Sequence, residues 1–181
     1  KEVAAATELF LPMLAHDFNK RGKKLVYPVD VQPKLDGVRC LAYKENGIVK
    51  LMSRSGKLYT APIHIIKELQ TTLPDDTILD GELYCHGTSL QTISSWTKKA
   101  RPETINLEFH TFDIPCHKGI EGEPWKTRLH NLSYNLYPFA KCKCIHVVPS
   151  LRANDVVEVH SAEEHYVGLG YEGAIVRTHT G

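Results

Sequence analysis

The stretch Val31-Gln32-Pro33-Lys34-Leu35-Asp36-Gly37-Val38-Arg39 places a lysine beside a tight turn between two extended segments. Asp36-Gly37 is typical of short turns, because glycine tolerates positive φ and aspartate bonds its own backbone. The dipeptide by itself predicts a β-hairpin with an exposed lysine. The wider pattern Lys-x-Asp-Gly-x-Arg adds a second cation, Arg39, which favours a neutral, nucleophilic amine on Lys34 and can hold a phosphate.

The bulk composition is that of an ordinary globular domain. The chain has 181 residues, 42% of them hydrophobic and 24% charged, which is enough to bury a core within one domain. The formal charge is only +1, so any contact with nucleic acid has to come from local basic patches. Five scattered cysteines predict free thiols in a reducing, intracellular compartment. No apolar run approaches the roughly 18 residues of a membrane span, so no membrane partner is expected.

Hydrophobic periodicity divides the chain into alternating strands and amphipathic helices. Asn46-Gly47 predicts a two-residue hairpin turn. Strands are predicted at residues 29–34, 38–45, 48–53, 78–84, 107–114, 141–148 and 172–177. Helices are predicted at residues 63–73, 89–100, 125–136 and 154–169, with a further short helix within residues 7–19.

Three of the predicted strands carry acidic residues in apolar company. Alternation along residues 78–84 puts Asp80, Glu82 and Tyr84 on one face, where Glu82 can point into a cleft. Strand interiors are depleted in aspartate and glycine, so a bulge with exposed acids at a sheet edge is the alternative. Phe112-Asp113 lies in a later strand, and Glu172-Gly173 opens the last one.

Five short elements occur in one order along the chain. They are Lys34-x-Asp-Gly-x-Arg, Ser53-Arg54, Leu79-Asp-Gly-Glu, Phe112-Asp113 and Glu172-Gly-x-x-x-Arg. In this order they resemble the motifs of covalent nucleotidyltransferases, the group of ATP-dependent DNA ligases, RNA ligases and mRNA capping enzymes. The resemblance implies an α+β fold with antiparallel β-sheets flanked by helices and a nucleotide cleft between them. This is the nucleotidyltransferase fold of DNA ligases and mRNA capping enzymes, which is ATP-grasp-like.

The resemblance also implies a role for individual residues. Lys34 would be catalytic, attacking the α-phosphorus of ATP, expelling pyrophosphate and becoming a lysyl-AMP. Phe112 would stack on the purine, with Phe109 as the alternative, and Ile175 would cover the other face of the base. The implied nucleotide-binding residues are Gln32, Pro33, Lys34, Arg39, Arg54, Glu82, Phe112 and Ile175. The implied ligands of Mg²⁺ (or Mn²⁺) are Glu82 and Glu172, and the implied DNA contacts are Arg54, Lys98 and Lys99.

The resemblance favours a monomeric ATP-dependent DNA ligase that acts on nicked double-stranded DNA. AMP would pass to the 5′-phosphate at the nick, and a 3′-hydroxyl would then displace it. An RNA ligase, a GTP-dependent capping guanylyltransferase and an inactive nucleotide-binding or nucleic-acid-binding module are the alternatives. Many DNA ligases carry glutamate where this chain has Gln32, near the adenine amino group, and an amide can still accept a hydrogen bond there. Residues 1–181 are expected to form an adenylation domain that stops before the family's final Lys-x-Lys motif and its OB-fold domain.

Two further patterns have a structural and a functional interpretation. Cys142, Cys144 and His146 fall on one face of a predicted strand, but classical zinc sites use Cys-x-x-Cys pairs, which the sequence lacks. No zinc site is therefore predicted there. The basic run at residues 20–24 predicts a solvated loop in preference to a nucleic-acid contact.

Overall fold

A computed structural model describes residues 15–116, 122–134 and 141–179 of the chain. Within these residues the strands form a three-stranded and a five-stranded sheet. The strands are β1 Val29–Lys34, β2 Val38–Glu45, β3 Ile48–Met52, β4 Thr77–Tyr84, β5 Glu108–Cys116, β6 Ile145–Val147, β7 Leu151–Ala153 and β8 Gly173–Arg177. The helices are α1 Phe18–Arg21, α2 Ile63–Thr72, α3 Leu90–Lys98, α4 Trp125–Tyr134 and α5 Val156–Gly168, with 3-10 turns at Gly22–Lys24 and Pro102–Asn106.

The small sheet has the order β7-β1-β8, and β1 is antiparallel to both neighbours. Val29 and Val31 are fully buried and pack with Val159 and Tyr166 of α5. The Tyr166 hydroxyl donates a hydrogen bond of 3.1 Å to the Val31 carbonyl, which fixes the helix on the sheet. Because side chains alternate along a strand, the other face of β1 carries the polar residues Asp30, Gln32 and Lys34.

The large sheet has the order β3-β2-β4-β5-β6 and its own core against α2 and α3. The hairpin between β2 and β3 is the predicted one, with φ of 50° at Asn46 and 74° at Gly47. The α+β fold with flanking helices is confirmed. One pairing departs from the expected antiparallel pattern, because β6 runs parallel to β5.

The hairpin predicted at Asp36-Gly37 is wrong, because β1 and β2 belong to different sheets. The turn carries the chain from one sheet to the other. Gly37 is required there by close packing: an added Cβ would lie 2.5 Å from the Leu83 carbonyl oxygen and 2.8 Å from Cγ of Glu82. A turn dipeptide reports that the chain reverses or bends, but it does not specify which strand each arm pairs with.

Other segments differ from the predictions in extent. Strand β7 was not predicted, since its three residues show no alternation and it exists through pairing with β1. The strand expected at residues 141–148 is limited to Ile145–Val147. The helix predicted within residues 7–19 lies mostly outside the described residues, as does the end of the helix predicted to reach residue 136. In the described part of the chain, no helix combines the length and apolar character needed to cross a membrane.

Candidate functional site

Lys34 and Glu172 meet where the small sheet ends. Lys34 is the last residue of β1 and pairs with Gly173, the first residue of β8, so Glu172 lies immediately beside it. The Lys34 Nζ donates to Oε1 of Glu172 at 2.5 Å, and the Glu172 backbone N–H donates to the Lys34 carbonyl at 3.3 Å. Both side chains are about half exposed, which leaves the amine accessible to a ligand.

Gln32 and Arg177 extend this polar face of the small sheet. Gln32 is 1% exposed and its Oε1 accepts a hydrogen bond of 3.2 Å from Nε of Arg177. Since the guanidinium can only donate, this bond fixes the orientation of the amide. The Nε2 of Gln32 is buried and has no partner among the described residues, so it remains a donor available to a ligand.

Arg39 and Asp80 form a paired charge on the facing large sheet. Nε and Nη2 of Arg39 donate to the two Asp80 oxygens at 2.6 and 2.5 Å in a bidentate arrangement. The Asp80 side chain is only 4% exposed. Burial raises the pKa of Asp80, and the adjoining Arg39 guanidinium opposes that shift. The bulge considered as the alternative for this strand is present against β5, but Asp80 is buried in a central strand and is not an exposed edge acid.

The Phe112 ring connects the two sheets. The guanidinium carbon of Arg39 lies 4.6 Å from the ring centroid and that of Arg177 lies 4.9 Å from it. These distances are typical of cation–π contacts. Phe109, the alternative stacking residue, is fully buried and packs over Gly81. The assignment of Phe112 to purine stacking stays a prediction.

Glu82 lies beside the turn that joins the sheets and pairs across the β2–β4 ladder with Arg39. Burial raises the pKa of Glu82 from 4.5 to about 7. The charge of Arg39 and a hydrogen bond from the Gly37 backbone oppose this shift, while Asp80 and Asp36 add to it. A carboxyl group that titrates near neutral pH in a cleft is a candidate for a binding or catalytic role.

The remaining predicted contact residues lie around the cleft or on the surface. Arg54 is exposed and lines a depression of about 520 Å³ that also includes Arg39 and Tyr59. Ile175 is partly buried and pairs with Gln32, and Pro33 is buried in the same strand pair. Lys98 and Lys99 are exposed where α3 ends.

Two arginine contacts were not anticipated from the sequence. Arg128 of α4 donates from Nε and Nη2 to the Asp113 carboxylate at 2.8 and 3.0 Å, which neutralises a second buried acid below Phe112. Arg177 was present in the Glu-Gly-x-x-x-Arg element but had no assigned role. The acid Asp113 and the arginine Arg128 are 15 residues apart in the sequence, which is not a specific signal for a contact. Arg177 could have been singled out from its conspicuous place in the last motif, but its partner Gln32 could not.

The fold and site define a class of protein: an α+β domain in which two sheets meet through the contact of Arg177 with Phe112, with a lysine–glutamate pair at the end of the small sheet. The family model described as ATP dependent DNA ligase domain matches residues 12–181. The chain belongs to this family of ATP-dependent DNA ligase domains. The expected α+β nucleotidyltransferase fold is confirmed.

Three relatives illustrate this similarity. A DNA ligase of African swine fever virus is 31% identical over 179 residues, which cover 94% of this chain and 42% of the viral protein. The structure designated Pmar-Lig_Pre superposes with a TM-score of 0.78 at 23% identity, covering 93% of this chain and 42% of that one. The Chlorella virus DNA ligase-adenylate superposes with a TM-score of 0.69 at 19% identity, covering 88% and 56%. The chain therefore spans less than half the length of the viral ligase that it matches.

Proposed function

We propose that this chain is the adenylation domain of an ATP-dependent DNA ligase and that Lys34 is its nucleophile. The observation that carries the proposal is the position of Lys34. Its amine lies 2.5 Å from the Glu172 carboxylate, where the small sheet ends, in a chain of the ATP-dependent DNA ligase family. A nucleophilic lysine next to a proton acceptor is the pair that phosphoramidate formation needs.

The chemistry proceeds by displacement at the α-phosphorus of ATP. The Lys34 amine forms a bond to this phosphorus, the bond to the bridging oxygen of the β-phosphate breaks, and pyrophosphate leaves. The proton lost from Nζ passes towards Glu172, which already accepts its hydrogen bond. A 5′-phosphate oxygen at a nick then takes the AMP and the amine regains its proton. Finally the 3′-hydroxyl oxygen forms a bond to the phosphorus of that 5′-phosphate, the bond to the bridging oxygen breaks, AMP leaves, and the hydroxyl proton passes to solvent.

The acidic residues of the site fit the magnesium ion that this chemistry uses. Mg²⁺ binds oxygen ligands, commonly one or two carboxylates together with phosphates and water. Glu172 is exposed beside Lys34, and Glu82 lies at the adjoining turn, so both offer suitable oxygens. A bound Mg²⁺ would supply positive charge against the phosphates. Glu82 and Glu172 would hold it, and Glu82 would also lie near the ribose.

The nucleotide contacts are assigned to the facing polar surfaces of the two sheets. Gln32 offers its free Nε2 to an acceptor on the base, while Ile175 and Phe112 supply apolar surface for its faces. Arg39 carries a positive charge at the same cleft. Pro33 belongs to the strand segment that would line the base pocket.

The proposed acceptor is nicked double-stranded DNA, bound by a monomer. Arg54 is exposed beside the cleft, and Lys98 and Lys99 are exposed where α3 ends, so all three can reach phosphates. Cys40, Cys85 and Cys144 are free thiols, the state expected in the proposed reducing intracellular compartment. The final Lys-x-Lys motif and the OB-fold domain are proposed to follow residue 181 in the whole protein.

Covalent labelling tests the proposal. A chain that continues past residue 181 is incubated with Mg²⁺ and α-labelled ATP, and label that survives denaturation is counted. We expect label on the wild type and none on Lys34→Arg, which keeps the charge but is a far weaker nucleophile. Lys67→Ala removes an exposed lysine of α2 outside the site and should label like the wild type.

The same assay separates the alternatives. Label from α-labelled GTP alone would indicate a capping guanylyltransferase, and absence of label from both nucleotides in a folded protein would indicate a binding module. Labelled protein is then offered nicked DNA and nicked RNA. Transfer of AMP to RNA alone would contradict the DNA ligase proposal.

A further inference from the structure

Glu108, His110 and His146 lie together on one face of the large sheet. Glu108 and His110 are two residues apart in β5, so their side chains share a face. His146 is the register partner of His110 in the parallel strand β6, which places the two imidazoles side by side. The ring centroids are 5.0 Å apart.

The donor atoms of these three residues converge. Nε2 of His110 lies 2.7 Å from Oε2 of Glu108, and Nε2 of His146 lies 3.6 Å from Oε1 of the same carboxylate. One ligand atom from each residue lies within 4.8 Å of the other two. The Nε2 of His146 is buried and makes no hydrogen bond within the described part of the chain. A buried ring nitrogen without a hydrogen bond needs an explanation such as a bound ion.

We propose that Glu108, His110 and His146 form a Zn²⁺ site with one position open to a further ligand. Zinc binds imidazole nitrogen at about 2.0–2.1 Å and carboxylate oxygen at about 2.0–2.2 Å, so tetrahedral ligand atoms are separated by about 3.3–3.5 Å. The His146–Glu108 separation of 3.6 Å is slightly longer than this range. The His110–Glu108 contact of 2.7 Å would open by less than one ångström.

The donor set selects zinc over magnesium. Two imidazoles and one carboxylate suit zinc and similar late divalent metals, whereas Mg²⁺ prefers oxygen ligands throughout. The site also differs from the cysteine-based grouping considered from the sequence. Sγ of Cys144 donates to Oε2 of Glu68 at 2.7 Å, and Cys144 is not part of the converging group.

The ion would add a link between two neighbouring strands, β5 and β6. β6 has three residues and lies at the edge of the large sheet, paired only to β5 within the described residues. Zinc shared between β5 and β6 would tie this edge strand to the sheet. Because an ion that binds the folded state stabilises it, Zn²⁺ should raise the melting temperature.

Zinc titration of the chelator-stripped full chain tests the site. By calorimetry we expect about one Zn²⁺ per chain, with affinity reduced at least tenfold in His146→Ala and in Glu108→Gln. Both of these side chains are 40% exposed, so the variants should fold, which circular dichroism checks. His160→Ala, in the exposed part of α5, is the matched histidine control and should bind like the wild type.

A variant-independent measurement complements the titration. Zinc-edge X-ray absorption of the wild type should show nitrogen and oxygen neighbours at about 2.0–2.1 Å and no sulfur at about 2.3 Å. Cys144→Ser should keep wild-type affinity. A sulfur shell, loss of binding in Cys144→Ser, equal binding by all variants, or no binding by the wild type would each overturn the proposal.

Discussion

At the scale of single residues, we expect a change to the ion pair between Lys34 and Glu172 to affect activity much more than stability. We expect Glu172→Gln to lower the yield of lysyl-AMP at least tenfold, because the amide cannot take the proton and binds Mg²⁺ poorly. The free energy of unfolding should change by less than about 1 kcal/mol, since both side chains are about half exposed and solvent screens their attraction. Quantitative labelling and urea unfolding measure the two effects. Unchanged labelling would show that Glu172 takes no part in the formation of lysyl-AMP.

The buried pair of Arg39 and Asp80 should behave differently. Arg39→Ala would leave the Asp80 carboxylate buried without its bidentate partner, which typically costs about 3–5 kcal/mol. The double variant Arg39→Ala with Asp80→Asn removes the uncompensated charge and should recover part of the loss. Urea unfolding of the two single variants and the double variant measures the coupling. Additive effects would show that the pair contributes nothing specific.

Glu82 should make the stability depend on pH. Its pKa is about 7 in the folded chain against 4.5 ordinarily, so between these values the folded state holds a proton that the unfolded state has lost. Stability from this group is therefore full below about pH 4.5 and falls as the pH rises towards 7, by on the order of 1–3 kcal/mol. Unfolding of the wild type and Glu82→Gln at pH 5 and pH 7.5 tests this. Glu82→Gln should lose less stability than the wild type between pH 5 and pH 7.5. Equal losses in the two proteins would contradict a raised pKa of Glu82.

At the scale of elements, the turn between the sheets should tolerate little change at Gly37. A Cβ there would lie 2.5 Å from the Leu83 carbonyl, so Gly37→Ala forces the turn before β2 away from β4 and should cost at least about 2 kcal/mol. Gly168→Ala is the matched control, because nothing lies within 4 Å of its added Cβ and it ends α5. That change should be neutral or slightly stabilising. Thermal unfolding compares them, and equal effects would mean that the close approach carries no constraint.

Elements set by local signals were predictable from the sequence. The hairpin at Asn46-Gly47 follows from two consecutive residues of positive φ, and Ser89, a residue type favoured just before a helix, caps α3 by accepting from the Thr92 N–H. The sheet to which β1 belongs was not predictable. The turn at Asp36-Gly37 has the same local chemistry in a hairpin and in a crossing between sheets, and the outcome depends on β7 and β8, more than 100 residues away.

At the scale of the whole molecule, the ordered motifs predicted a set of site residues but not how these residues pair their charges. Lys34 and Glu172 were both expected at the nucleotide, and the structure brings them into contact. Arg39 was expected beside the lysine, yet it pairs with Asp80, a residue that had no assigned role. Such pairs form between strands that are far apart in the sequence, and any of several arginines in the chain could neutralise a given buried acid. Sequence spacing therefore cannot select among them.

Side-chain contacts between the two sheets hold them together, and Arg177 provides one of these contacts. It bonds Gln32 within the small sheet and lies 4.9 Å from the Phe112 ring of the large sheet. Arg177→Ala would leave the Gln32 oxygen unsatisfied and remove the cation from the ring. We expect a loss of about 2–4 kcal/mol in the free energy of unfolding, together with weaker ATP binding.

A double-mutant cycle resolves the part of this loss that belongs to the link between the sheets. Arg177→Ala and Phe112→Leu should show a coupling energy of about 0.5–2 kcal/mol in urea unfolding, because each removes one side of the same contact. Arg152→Ala, on the exposed strand β7, is the matched control and should combine additively with Phe112→Leu. Additive effects of Arg177→Ala and Phe112→Leu on the free energy of unfolding would show that their contact contributes nothing to stability. The two sheets would then be held together by the turn at Gly37 and the remaining core.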